Sequence, residues 1–297
     1  MPVFLLAAAL AGIAAPPVPT GAARFGVEVS GRKIVVLTYK PAGYRDGPLI
    51  LVFHGLWRNA EDYRDRARGL ADRSGALIAA PEFDEERFPY RKFTRGGILR
   101  EDGSIAPRAD WTWELVPEIA EALRRREGRP DAPYYLIGHS AGGQFVDRLN
   151  GFVAPGARGS VSANPGSYLL PTRDEPFPYG FGGLPDDLAD DAAIGRYLAR
   201  PLTIYLGTDD VRRDDDLDTS PEADRQGRTR LERGRATFEA ARALAERRGW
   251  TFGWRLVEAR GIGHDALAML EDPACLAALF GPADVPTPRK VPRESSP

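Results

Sequence analysis

The chain has a single cysteine, Cys275, among 297 residues, so it has no disulfide framework and no cysteine-based zinc site. An excess of either charge is also missing. Forty Lys and Arg face 42 Asp and Glu, a net charge of −2, which excludes the broadly cationic surface that tracks nucleic-acid phosphates. The apolar run at residues 3–15 is shorter than the roughly 20 residues a membrane-spanning helix needs, so no stable membrane insertion is expected. Glycine-rich stretches lack both the phosphate-cradling Gly-x-x-x-x-Gly-Lys-Ser and a Gly-x-Gly-x-x-Gly after a strand, so no cofactor is expected. Histidine is scarce: any imidazole chemistry falls to His54, His139 or His264. What the chain does have is hydrophobic residue, 43% of the total, which excludes a disordered protein and supplies a large core.

The ends differ from the body. Residues 3–15 are followed by Pro16-Pro17-Val18-Pro19 and by small residues, a pattern that fits a secretory signal over residues 1–23 and a secreted or periplasmic protein. Residues 282–297, rich in Pro, Arg and Ser, read as a disordered tail. The body, 24–281, alternates β-branched or apolar runs with helical patterns. The runs fall at 25–30, 33–39, 49–53, 76–80, 134–137, 159–163, 202–206 and 251–257. Leu49-Ile50-Leu51-Val52-Phe53 shows no alternation, as expected of a strand buried on both faces. Between runs, Leu115, Ile119, Ala122 and Leu123 share one helical face, as do Phe145, Leu149 and Phe152. The first two runs are close enough to pair as an antiparallel hairpin through Ser30-Gly31-Arg32. The expectation is a single α/β domain with a mostly parallel eight-stranded sheet covered by helices on both faces.

Gly138-His139-Ser140-Ala141-Gly142 stands directly after one apolar strand and directly before a helix, the context that gives Gly-x-Ser-x-Gly its meaning. A serine projected from so sharp a turn needs glycine two positions either side, where side chains would collide. The helix that begins there aims its amides at a developing oxyanion. Serine needs a base. His139 adjoins Ser140, and adjacent side chains diverge on such a turn; His54 lies far upstream. His264, in Gly261-Ile262-Gly263-His264-Asp265 after the last strand, is left as the base. An acid must orient that imidazole, and the strand at 202–206 ends in Gly207-Thr208-Asp209-Asp210, between serine and histidine in the sequence; either carboxylate could serve. The acidic residues that follow, Asp214, Asp215, Asp216 and Asp218, have oxygens enough for calcium but read better as a solvated loop balanced by Arg212 and Arg213.

The Ser140 elbow, the His54-Gly55 turn, Gly207-x-x-Asp210 and Gly263-His264 together resemble the α/β-hydrolase superfamily. Within it the chain is similar to the secreted polyhydroxybutyrate-depolymerase-like and feruloyl-esterase-like branch. The resemblance implies Ser140 as nucleophile, Asp210 as acid and His264 as base, with the backbone amides of Leu56 and Ala141 as oxyanion donors. It implies the α/β-hydrolase fold; no metal site is expected.

Residues 164–201 form a long insert before the strand at 202–206, carrying Tyr168, Phe177, Tyr179, Phe181 and Tyr197. Inserts here overlie the strand C-termini where ligands bind, so the segment is expected either as a lid with an acyl pocket or as aromatic packing. Trp57 and Tyr168 are the candidate substrate contacts. The expected activity is that of a secreted serine hydrolase cleaving small or polymeric carboxylic esters. The alternatives are a serine peptidase or amidase on the same scaffold and a non-catalytic binding protein that kept the fold.

Overall fold

The computed structural model describes residues 15–281. Most of the expected leader and all of the expected tail lie outside the described residues. Eight strands form one sheet: β1 Gly21–Val29, β2 Arg32–Lys40, β3 Leu49–Phe53, β4 Leu77–Pro81, β5 Tyr134–His139, β6 Gly159–Ala163, β7 Leu202–Gly207 and β8 Arg255–Ala259. Their order across the sheet is β1-β2-β4-β3-β5-β6-β7-β8. β1 pairs antiparallel with β2, and β2 antiparallel with β4; every other pairing is parallel. This is the α/β-hydrolase arrangement.

The hairpin joining β1 and β2 turns on Ser30 and Gly31, both at positive φ (46° and 69°), the two-residue turn whose twist matches its strands. The apolar run of β3 divides as an unalternating strand should. Leu49, Leu51 and Phe53 face one core, while Ile50 and Val52 face the other. Moving each such side chain out of water contributes roughly 1.5–3 kcal/mol. On the first face Phe53, Phe83, Phe93 and Phe145 stack together, with Trp113 edge-on to Phe145. The second face packs under Met269, Leu270, Leu279 and Phe280 of the C-terminal helices.

Two boundaries differ from those expected. The last run, placed at 251–257, pairs as Arg255–Ala259, because the strand is set by register with β7, Thr203 opposite Arg255 through Gly207 opposite Ala259. The body also starts earlier than residue 24. Gly21, Ala22 and Ala23 already pair with Lys40, Tyr39 and Thr38. Ahead of them Val18 is buried, its amide donates to Glu127 Oε1 at 2.8 Å, and its carbonyl accepts from Lys40 Nζ at 3.2 Å. A leader ending at residue 23 would therefore take the first three residues of β1 with it.

The order of strands places a site. The chain runs outward from β3 to β4, then crosses back to β5, so the loops after β3 and β5 diverge at the C-terminal edge, the position where sheets of this kind bind their ligands. Ser140 follows β5 and Leu56 follows β3. Asp210 and His264 follow β7 and β8 along the same edge.

Candidate active site

Ser140 caps the helix Ala141–Phe152 at φ 57° and ψ −119°, a region that costs a non-glycine residue about 1–3 kcal/mol. Two contacts hold it there: its amide donates to Ala163 O at 2.9 Å and its carbonyl accepts from Gln144 N at 3.0 Å. The flanking glycines are required by contact. A Cβ on Gly138 would lie 2.1 Å from Gly142 O, and one on Gly142 would lie 2.3 Å from Phe53 O and 2.7 Å from His54 O. The elbow is thus pressed against the backbone at the end of β3. That approach brings the Gly55-Leu56 turn beside the first turn of the elbow helix, all twelve residues of which are buried.

Asp210 is 1% exposed, and its Oδ2 lies 2.7 Å from His264 Nδ1. Asp209, one residue earlier, is exposed, and its carboxylate meets only the Thr208 hydroxyl, at 3.2 Å. The two neighbours lie in a turn after β7, closed by a hydrogen bond from Asp210 N to Gly207 O at 3.1 Å, which sends one carboxylate inward and leaves the other outside. Gly207 is held tightly here, since a Cβ on it would lie 2.3 Å from Ile262 O, in the loop that carries His264.

The other two histidines are buried. His54 accepts from Phe83 N at Nε2 (3.2 Å), so its Nδ1 carries the proton and donates to Gly55 O at 3.0 Å. Burial lowers its pKa to about 4, and its ring stacks on Phe93 at 4.6 Å. It is a neutral brace for the turn after β3. His139 sits beneath the edge with its ring centroid 4.6 Å from that of His264, and its Nδ1 lies 3.4 Å from Tyr63 OH. Burial, and then the charge repulsion of His264, hold it well below the usual imidazole range. A neutral buried ring at that distance serves as a floor for His264.

Of the two candidate substrate contacts, Trp57 is 77% exposed beside Leu56 at the edge. Tyr168 is not on the cleft surface. Its side chain is 0% exposed, and its backbone amide and carbonyl are both bonded to the Gln226 amide. The reason is general to the insert: its aromatics fill the space over the elbow helix. Phe181 packs between Phe152 and Tyr197, and Tyr197 OH donates to Asp147 Oδ1 at 2.7 Å. These side chains pack the insert onto the body.

Sequence reasoning missed three buried arginines around this edge. Arg148, on the elbow helix, donates to Thr94 O, Gln144 Oε1, Ser167 Oγ and Pro178 O, pinning the insert to the elbow. Arg233 donates to Gly166 O and pairs with Asp224. Arg230 pairs with Asp214 and approaches Asp210. Asp214 therefore belongs to an ion pair rather than to a solvated loop. Among the described residues, no group of three or more His, Cys, Asp and Glu is placed to hold a metal ion, and no helix is long and apolar enough to cross a membrane.

No protein-family model and no curated protein matches the chain. Solved structures do. LpqC, a poly(3-hydroxybutyrate) depolymerase from Bordetella parapertussis, is 37% identical with a TM-score of 0.80, over 87% of this chain and 90% of that one. Poly(aspartic acid) hydrolase-1 from Sphingomonas sp. KT-1 is 32% identical with a TM-score of 0.80, over 85% and 96%. With that fold, that strand order and relatives this similar over nearly their whole length, the chain belongs to the α/β-hydrolase superfamily.

Proposed function

We propose that the protein is a serine hydrolase that cleaves carboxylic esters through an acyl-enzyme on Ser140. One observation carries the reading: the Asp210–His264 pair stands on the same sheet edge as a serine held in a strained elbow. Asp210 accepts from Nδ1–H, which leaves the lone pair of His264 Nε2 free to act as base. Ser140 Oγ attacks the ester carbonyl as Nε2 takes its proton. The carbonyl oxygen becomes an oxyanion, received by the amides of Ala141 and Leu56. Collapse expels the alkoxide, which takes the proton from His264 and leaves as the alcohol. Water, deprotonated by the same Nε2, then attacks the acyl carbon and releases the acid and the free serine.

Ester chemistry is supported by the depolymerase neighbour. A second reading, amide hydrolysis by the same steps with an amine leaving, is favoured by the poly(aspartic acid) hydrolase neighbour. Secretion or a periplasmic location is supported by the apolar leader alone. The discriminating experiment measures kcat/KM on p-nitrophenyl esters of increasing acyl length, 3-hydroxybutyrate oligomers, feruloyl esters and aspartyl oligomers. The ester reading expects turnover of the activated esters and of at least one natural ester. Turnover of the aspartyl oligomers alone replaces it with the amide reading.

A further inference from the structure

Arg230 opens the helix Arg230–Arg248, is 1% exposed, and has no part in the steps written above. Its Nη1 lies 3.5 Å from Asp210 Oδ1, the carboxylate oxygen that His264 does not use. The same guanidinium is bidentate on Asp214, with bonds of 2.7 and 2.8 Å. The helix grips Asp210 a second time through its backbone, where Leu231 N donates to Asp210 O at 3.3 Å. The Asp214 side chain is 37% exposed, and the hydrogen bonds from Arg230 hold its carboxyl below the usual carboxylate range. Along this line of contacts the charges therefore alternate, Asp214, Arg230, Asp210, His264, with the two middle members buried and the two ends partly exposed.

The distances divide the guanidinium unequally. Arg230 is committed to Asp214 at 2.7–2.8 Å and touches Asp210 only at 3.5 Å, while Asp210 keeps its short bond to the imidazole. A buried cation does not stay unpaired, so without Asp214 the guanidinium would close on Asp210 and compete with His264 for its charge. We infer that Arg230 and Asp214 form a latch on Asp210, in which Arg230 is a positioning residue for the carboxylate and Asp214 draws off enough of the guanidinium to leave Asp210 bonded to His264. The inference rests on the reading of Asp210 and His264 as acid and base.

The latch has a signature that packing alone lacks, because its two members act on His264 with opposite sign. The charged and titratable groups facing His264 are Asp210 and Asp214 from the segment after β7, Arg230 from its helix, and the ring of His139 from β5. His139 stays neutral through burial. On His264's own loop, Asp265 is spent on the amides of Leu267 and Ala268. Removing the Asp214 charge exposes the imidazole to more of Arg230 and makes it a weaker base. Removing the Arg230 charge leaves two carboxylates facing it and makes it a stronger one. A charge about 4–6 Å from a titrating group shifts it by on the order of one pH unit.

The test is the acid limb of kcat/KM on one p-nitrophenyl ester for wild type, Asp214→Asn, Arg230→Gln and Arg230→Lys, with melting temperature recorded for each. The latch expects the limb to move to lower pH in Asp214→Asn, to move to higher pH in Arg230→Gln, and to return toward wild type in Arg230→Lys. If Arg230→Gln does not fold, the sign of the Asp214→Asn shift decides the matter. Limbs within about 0.2 unit of wild type in folded variants, or moving together, overturn the latch and leave a structural ion pair. Fluorophosphonate labelling of wild-type Ser140 separates the two failures. A labelled serine with unmoved limbs sinks the latch alone, and an unreactive serine sinks the acid–base reading and the latch with it.

Discussion

Asp210→Asn changes one atom's chemistry and almost no volume, and the surroundings of that atom determine the outcome. In the native arrangement Oδ2 accepts from His264 Nδ1 at 2.7 Å and Oδ1 faces the Arg230 guanidinium at 3.5 Å. An asparagine must put its NH2 on one side. Against Arg230 two donors would oppose each other, so the amide oxygen turns to Arg230 and the NH2 turns to His264. There it donates to Nδ1 and drives the imidazole proton to Nε2, the position that must be empty to accept the serine proton. The variant loses both the stabilising charge and the reactive tautomer, a change expected to cost about 10⁴ in kcat, or ~5 kcal/mol. Asp209→Asn is the internal control. Its exposed carboxylate meets only Thr208, so it should keep kcat within about threefold, since surface substitutions are usually near neutral. The assay is kcat on one activated ester near neutral pH, with circular dichroism to show that both variants fold. A folded Asp210→Asn enzyme within about tenfold of wild type would refute the assignment, since triad losses cost orders of magnitude. A crippled Asp209→Asn enzyme would transfer the role to Asp209.

Gly142→Ala should destabilise by roughly 1–3 kcal/mol or more and lower kcat together, because its Cβ meets the Phe53 and His54 carbonyls and the elbow helix must move; a thermal melt and kcat measurement on the variant check it, and an unchanged melt contradicts the contact. His54 stays neutral in the folded chain with a pKa lowered to about 4, while an unfolded imidazole protonates below about 6.5. The unfolded state thus binds more protons between these values, so the contribution of His54 is complete above pH 6.5 and is lost as pH falls to about 4. Urea unfolding at pH 7 and pH 5 should show wild type losing ~2 kcal/mol more than His54→Gln over that interval; equal losses contradict the buried neutral imidazole. A chain beginning at Ala15 should be more stable than one beginning at Arg24 by ~3 kcal/mol, from the burial of Val18, its bonds to Glu127 and Lys40, and three residues of β1. Equal melting temperatures would show that these residues add nothing, and N-terminal sequencing of any exported protein should find Val18 retained.

The central strands were legible because each is a compact apolar run between turn residues, whereas the bounds of β8 are set by register with β7, and the elbow was legible because its glycines have no substitute at that contact. The preference for Asp210 over Asp209 came from the superfamily spacing; in the structure Asp210 is buried with its Oδ2 2.7 Å from His264 Nδ1, and Asp209 is exposed. What escaped the sequence shares one physical cause: partners far apart in the chain. Arg230 stands 20 residues from Asp210 in a stretch so rich in charge that nothing marks it as buried. Arg148 is satisfied by three backbone or side-chain oxygens from distant segments and by Gln144. Tyr168 and Tyr197 read equally as lid or as packing, since an aromatic ring signals burial without saying against what. The leader boundary was drawn from small residues that serve a β-strand as well as a cleavage site.

The central claim is that Ser140 is the nucleophile, and covalent labelling tests it most directly. Purified protein is treated with a fluorophosphonate, and its intact mass and peptide map are recorded beside those of Ser140→Ala. The account predicts a single adduct on the Ser140 peptide, complete loss of esterase activity in step with labelling, and no adduct in the variant. No adduct on the folded wild type, or one that persists in Ser140→Ala, would contradict it.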